Sequence, residues 1–533
     1  MKSKLIAAVA VVVLATTTAC GGSGGAPGGS GEPSAGGTLQ LALRADPPNL
    51  NPNLSVDVGM LDMAPLWAEG LVDLDASLQP VPQLAESWEI SDDATEYTFR
   101  LRDDVNWHDG TPFTADDVVY TINEALQFAP TAARFAEYVQ GAEKIDDHTV
   151  VVKLTEPYAA IMVGLSRAVT GILPAHLYSG TDIASNPANV APVGTGPYKF
   201  VSWDRGQRIT FEKNPDYWVA DEPKFDEVTF QVLPDDSARI AGLRRGEIGW
   251  APLDELPTAQ LSLLDSDPNV VKLTDIGDVN TVLLFFNAEE GPTSDLRVRK
   301  AIATAVDREQ INQTAFPGQG VASTTVLPAV FSELASQDLT WDSAYPRDIE
   351  KAKALLDDAG FPAGSDGTRM TLRFTANQGD EFTSLANIMV SQLAPLGIRL
   401  DISQPDNESR NEAVYHQGDF DLFATTYTSF FDPALGVHRA YTCEQVGQTS
   451  GNASRYCNQE LEAAFREADA ARSVEERAAA YEKATQIIMD DVPALALVNR
   501  QDAGYASARI GGLEEQFAVG AGRPDWAIAH FAG

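Results

Sequence analysis

Side chains able to do covalent or metal chemistry are sparse in this 533-residue chain and do not cluster in sequence. The three cysteines stand at 20, 443 and 457, and the six histidines, His148, His176, His416 and His438 among them, form no HxH or HExxH pattern. With no paired-cysteine spacing either, no metal site is expected. Beyond residue 37 there is no Gly-x-Ser-x-Gly elbow, and no nucleophile stands beside a base in sequence. Catalytic residues are therefore not assigned, and a secreted hydrolase is kept only as the competing class. Gly194-Thr195-Gly196-Pro197-Tyr198 is glycine-rich, but it lacks the Gly-Lys-Ser/Thr ending of a phosphate loop and runs into a strand. What is left is non-covalent capture by amides, hydroxyls and aromatic faces on loops.

The elements around those loops say where they lie. Met370–Thr375, Ile398–Ile402 and Phe420–Tyr427 read as strands, separated by helices over Phe382–Leu393 and around Ser409–Tyr415. Alternating strands and helices predict a parallel, doubly wound sheet, which places ligands outside the carboxyl ends of its strands. Two loops fall there, Ala376-Asn377-Gln378-Gly379-Asp380 and Thr428-Ser429-Phe430-Phe431-Asp432-Pro433. Asn377, Gln378, Tyr427, Ser429, Phe430 and Asp432 are thus candidate ligand-binding residues, with Glu408 nearby; such groups suit a neutral polar ligand. Amphipathic spacing predicts helices over Asp62–Ala68, Thr114–Leu126, Asp295–Gln310, Asp348–Ala359, Asn458–Ala470 and Val474–Asp490. Alternation predicts strands at Thr38–Arg44, Glu96–Arg102 and Thr149–Leu154, so residues 75–190 read as α+β. Trp88, Tyr97 and Phe99 are read as core, and Arg297, Arg299 and Lys300 as a solvated helix face.

Acidic residues outnumber basic ones 76 to 38, for a formal charge of −38. That field disfavours nucleic acid and anionic membrane surfaces as partners. Lys2 and Lys4 precede an apolar stretch, Leu5–Ala15, that falls short of the ~20 residues of a membrane span, so residues 1–19 are predicted to be a signal peptide. Thr17-Thr18-Ala19-Cys20 resembles a bacterial lipobox, which makes Cys20 the expected lipidated residue. The Gly-, Ser- and Pro-rich residues 20–37 would then be a flexible tether, and the lipid the sole membrane attachment. Export to an oxidising compartment leaves Cys443 and Cys457 to pair with each other or to remain as two thiols.

Three segments carry a family resemblance: 84–121 (LAESWEISDDATEYTFRLRDDVNWHDGTPFTADDVVYT), 193–218 (VGTGPYKFVSWDRGQRITFEKNPDYW) and 286–308 (FNAEEGPTSDLRVRKAIATAVDR). Weaker matches are LRRGEI at 243–248, EKAKALLDDAGF at 350–361 and QGDFDLF at 417–423. Together they resemble the family 5 extracellular solute-binding proteins, which include dipeptide, oligopeptide and nickel-chelate binders; Gly249 stands where members often have Asp. The resemblance implies an α/β, bilobed periplasmic-binding-protein fold of type II, cluster C-like, with an extra α+β domain inserted in the first lobe. Lobe I would comprise 38–74, 191–285 and 499–533, the extra domain 75–190, and lobe II 286–498. It further implies an extracytoplasmic, monomeric, cofactor-free protein that closes about a hinge on a small solute, an oligopeptide or similar polar oligomer, and passes it to ABC permease subunits. Val58, Gly59 and Met60 match a family loop lining the cleft. Peptide-binding members carry an ammonium-gripping Asp three residues before an acidic-Pro pair; here that pair is Asp432-Pro433 and the position is Ser429. Dipeptide binders also place an Arg in the loop that here reads Ala376-Asn377-Gln378. A dipeptide gripped at both ends is therefore not expected, and an oligosaccharide or a blocked or longer peptide is. For a nickel chelate, His438 is the conceivable contact.

Overall fold

Where Leu39, Leu41 and Leu43 alternate with polar or small neighbours, the chain forms the strand Thr38–Leu43. In the computed structural model, which describes residues 35–532 apart from 56, 76, 130–131, 254–255, 258–259, 275–279, 501–502 and 514–524, this strand pairs in parallel with Glu227–Val232. Arg208–Lys213 and Tyr198–Asp204 extend the sheet antiparallel. Its core holds Leu41, Phe211, Val228 and Phe230 against Met60, Leu66, Trp67 and Trp526. A second sheet of this lobe joins Trp250–Pro252 and Val270–Thr274 through Ala503–Ser507. The helix predicted over Asp62–Ala68 starts earlier, at Val58, because Asp57 caps it by accepting from the Met60 amide at 3.0 Å; it gives way to a 3-10 turn at Ala64.

Between the first two paired strands the chain makes a long excursion, an antiparallel sheet of Ala85–Ile90, Glu96–Leu101, Thr149–Leu154 and Val139–Asp146. The helix Ala115–Tyr120 packs on it, started by a capping box in which Thr114 and Asp117 satisfy each other's backbone amides. The core of this insert, with Phe99, Trp107, Phe113 and Phe135, also takes in Ala434 and Leu435 from the second lobe.

The second lobe is built on six strands in the order Gly320–Ala322, Ala494–Arg500, Asn280–Phe286, Leu422–Thr428, Met370–Ala376 and Ile398–Ser403. Only the last three run parallel; the others pair antiparallel, so the sheet is mixed rather than the parallel one expected from the 370–427 alternation. Asn280–Phe286 runs across the 285/286 boundary expected from sequence and sits in mid-sheet, where all but its first residue are buried. The helix expected over Asp295–Gln310 is two, Leu296–Ala305 and Arg308–Ala315. The chain turns extended at Val306, and Asp307 caps the second by accepting from the Gln310 amide at 2.9 Å. Arg299 is not solvated: it is buried and donates to the carbonyls of Asp491, Thr293 and Ser294 at 2.8–3.0 Å. Among the described residues no helix is long and apolar enough to cross a membrane.

Candidate functional site

The Leu422–Thr428 and Met370–Ala376 strands place both candidate loops at one end of the second-lobe sheet. Ala376 pairs with Ala424, and the Asn377 amide donates to the Ala424 carbonyl at 3.1 Å, so the Leu422–Thr428 strand runs four residues further before its loop begins. There the Thr428 hydroxyl donates to Asn280 Oδ1 at 2.7 Å. Asn377 is half-buried and tied from both sides: Gln404 donates to its carbonyl at 2.7 Å and Arg410 to its Oδ1 at 3.0 Å. Gln378 is exposed, its amide reaching the Gln404 carbonyl at 3.3 Å. Glu408 is exposed on the short helix Asn407–Asn411.

The second loop is less open than its composition suggests. Tyr427 is buried and donates to the carbonyls of Ser450 and Gly451. Those carbonyls belong to a loop closed by the disulfide Cys443–Cys457, whose Cα atoms are 4.8 Å apart. Ser429 is only 4% exposed, and its backbone is overlaid by Gly436, where a Cβ would come within 2.1 Å of the Ser429 Cα. Its hydroxyl makes no hydrogen bond among the described residues. Phe430 and Phe431 both adopt left-handed backbone, φ 48° and 65°, a conformation costly for bulky residues unless the surroundings enforce it. Two contacts enforce it. Both rings pack against the insert's core, and Asp432 anchors the turn by accepting from the Ala434 amide at 2.8 Å. Both Asp432 oxygens also accept from Arg477, at 2.5 and 2.8 Å. That carboxylate is fully engaged and has no charge to offer a ligand.

Behind this loop lies a buried polar seam between the second lobe and the insert. Asp469 accepts from Tyr138 at 3.0 Å and faces Arg134 at 3.5 Å, while its carbonyl takes the Ala159 amide at 2.7 Å. Burial pushes the Asp469 carboxyl up to about 6 against the pull of Arg134. His438, with no exposed surface, stacks on Phe465 at 3.9 Å and bonds the Tyr481 hydroxyl at 3.0 Å. Burial, with Arg134 and Arg477 close by, pushes its imidazole well below the usual range and leaves it neutral. In this arrangement His438, the conceivable contact for a nickel chelate, is a core residue with no exposed surface. Among the described residues no group of three or more His, Cys, Asp or Glu side chains is arranged to hold a metal.

On the other side of the insert, the glycine-rich segment meets the His108 turn. The Gly194 amide donates to His108 Nδ1 at 3.2 Å, and His108 Nε2 donates to the Gly196 carbonyl at 2.9 Å, which needs the neutral ring. Burial pushes His108 down to about 4. Gly194 is glycine because a Cβ would stand 1.9 Å from the Trp67 carbonyl oxygen. Of the cleft loop, Met60 is fully buried in the first-lobe core and Gly59 lies against Leu43; for Val58 only the backbone, at the start of its helix, is described. Cys20 lies outside the described residues.

Sequence reasoning missed Arg410 and Arg439. The Arg439 guanidinium lies over the rings of Tyr427 and Phe430, at 4.5 and 4.8 Å, and donates to the Thr428 carbonyl at 3.1 Å. Arg410 sat inside a predicted helix, and only the fold turns it towards Asn377.

The family model of the bacterial extracellular solute-binding proteins, family 5, matches residues 79–448. The chain is 28% identical over 460 residues to the heme-binding protein A of Haemophilus influenzae, covering 81% of each. It is 26% identical over 497 residues to the dipeptide-binding protein of Escherichia coli, covering 87% of this chain and 89% of that one. The crystal structure of the ABC transporter substrate-binding protein CtaP from Listeria monocytogenes superposes with a TM-score of 0.80 at 26% identity, over 90% of this chain and 96% of that one.

Proposed function

Because the chain belongs to the family 5 bacterial extracellular solute-binding proteins, the bilobed components that capture solute for ABC importers, we propose that it closes on a polar solute at the carboxyl ends of the Met370–Ala376 and Leu422–Thr428 strands. The relatives are named for ligands as different as heme and dipeptides, so family membership leaves the solute open. One observation carries the reading of its chemistry. The resemblance assigns Ser429 to the position where peptide-binding members grip an ammonium, and the nearest carboxylate in the loop, Asp432, is engaged by Arg477. A ligand ammonium placed there would be desolvated without a counter-charge, which costs several kcal/mol. The favoured solute therefore presents no ammonium at Ser429, as a blocked peptide or a sugar would not.

Thermal unfolding with matched free and N-acetylated peptides tests this. Acetylated forms are expected to stabilise the protein, by about 2.7 kcal/mol at a hundredfold excess over Kd, and the free dipeptides to do so far less. Larger shifts from free dipeptides would overturn the reading. The protein is further proposed to act outside the cytoplasm as a monomer, removed from its signal peptide and tethered by lipid on Cys20 through residues 20–37. Cys20→Ala should then move it from the membrane to the soluble fraction, and persistence at the membrane would sink the anchor.

A further inference from the structure

Acids outnumber bases two to one in this chain, and arginines buried near the seam have found them: Arg477 holds Asp432, and Arg134 holds Glu444 and Asp469. Arg410 and Arg439 have not. Arg410 donates only to neutral acceptors, the Oδ1 atoms of Asn377, Asn407 and Asn411 at 2.9–3.0 Å. Among the described residues Arg439 makes one hydrogen bond, to the Thr428 carbonyl; the Nε of both arginines is buried without a partner, as it is in Arg134 and Arg477, but those two have acids on their other nitrogens. A buried arginine can be satisfied by carbonyls alone, as Arg299 is with four bonds, but Arg439 keeps most of its donors unused. Its faces are covered by Tyr427 and Phe430, which leaves the in-plane N–H edge, the part that forks a carboxylate. Arg410 bonds Asn377, the residue after the Met370–Ala376 strand, and Arg439 bonds Thr428, the last residue of the Leu422–Thr428 strand; the two strands pair in parallel, so both guanidinium groups stand at the carboxyl end of the sheet.

Resting on the binding reading above, we infer that Arg410 and Arg439 form a carboxylate-recognition edge, and that the solute is an acid rather than the neutral molecule its amide and hydroxyl neighbours suggest. Half-buried cations without counter-charge are costly until an anion arrives, so the acid group supplies specificity as well as affinity.

Calorimetric titration of the full chain with two paired scaffolds tests this: N-acetylated tripeptides as free acids and as amides, and oligogalacturonates as free acids and as methyl esters. In the scaffold that binds, the acid is expected to bind about tenfold or more tighter than its neutral partner, the scale of one charge-assisted contact. Arg439→Gln and Arg410→Gln should each reduce that ratio about threefold or more. Arg439→Lys, which keeps the charge but not the fork, should fall between wild type and glutamine and guards against a variant that fails to fold. Saturable binding with equal affinity for acid and neutral forms, or an unchanged ratio in the variants, overturns the carboxylate edge while leaving the binding reading intact. No saturable binding of any of the four removes both.

Discussion

The insert meets its two neighbours by different means. Against the first lobe it uses a neutral imidazole, His108, reading backbone groups of Gly194 and Gly196, together with one enclosed ion pair, Arg167 on Asp73 at 2.9 Å. Against the second lobe it uses charge: Arg134 on Asp469 and Glu444, with Arg472 of the second lobe donating to the Asp92 and Asp93 carbonyls. A neutral clamp on backbone has one geometry and little sensitivity to salt. Ion pairs at a seam can separate, because each partner regains water when the seam opens. The difference is one of burial: Arg167 and Asp73 are both nearly enclosed, whereas Glu444 on Arg134 is half exposed, so water reaches the second contact more readily when the halves of a hinged capture protein part.

Asp469 is the place to break the charged seam. Asp469→Ala leaves Arg134 with Glu444 alone and Tyr138 without its acceptor, and should cost about 1.5–3 kcal/mol in urea unfolding, the scale of a lost hydrogen bond to a charged group. A loss under about 1 kcal/mol would mean that water already reaches the seam and that its charges are not what holds it.

The neutral clamp is tested by acid. Unfolded, His108 takes its proton near 6.5; folded, only near 4. Its contribution is therefore whole above pH 6.5 and is lost as pH falls towards 4, by about 3 kcal/mol at ~1.36 kcal/mol per unit. The stability gap between wild type and His108→Gln should narrow by that amount between pH 7 and pH 4, a comparison in which the other titrating groups cancel. A gap independent of pH would show that folding leaves the affinity of His108 for its proton unchanged and that the clamp does not hold the ring neutral.

How much of this could be read in the chain depends on how local each cause is. Asp348 and Asn458 cap their helices as their spacing predicts, each accepting from amides two or three residues on. Asp307 broke a predicted helix by the same local chemistry, but the apolar period runs straight through Val306 and hid it. Asn280–Phe286 and Ala494–Arg500 are buried on both faces, so no alternation betrays their direction. The candidate loops do follow the carboxyl ends of their strands, as read from the alternation. Their side chains could not be placed, because whether Asp432 faces a ligand or Arg477 is decided by a helix more than forty residues away. Arg410 and Arg439 carried no sequence signal, since what distinguishes them is the lack of an acidic partner among the described residues.

The His108 clamp has a further consequence. Two of the segments by which this chain resembles its relatives, through the His108 turn, the Gly194–Tyr198 run and Asn214, which donates to the Gly196 carbonyl at 3.2 Å, converge on one corner of masonry against Trp67. No side chain of that corner belongs to the loops where cargo would sit. That corner can hold kinship steady while the loops vary, so likeness there carries no news of the cargo.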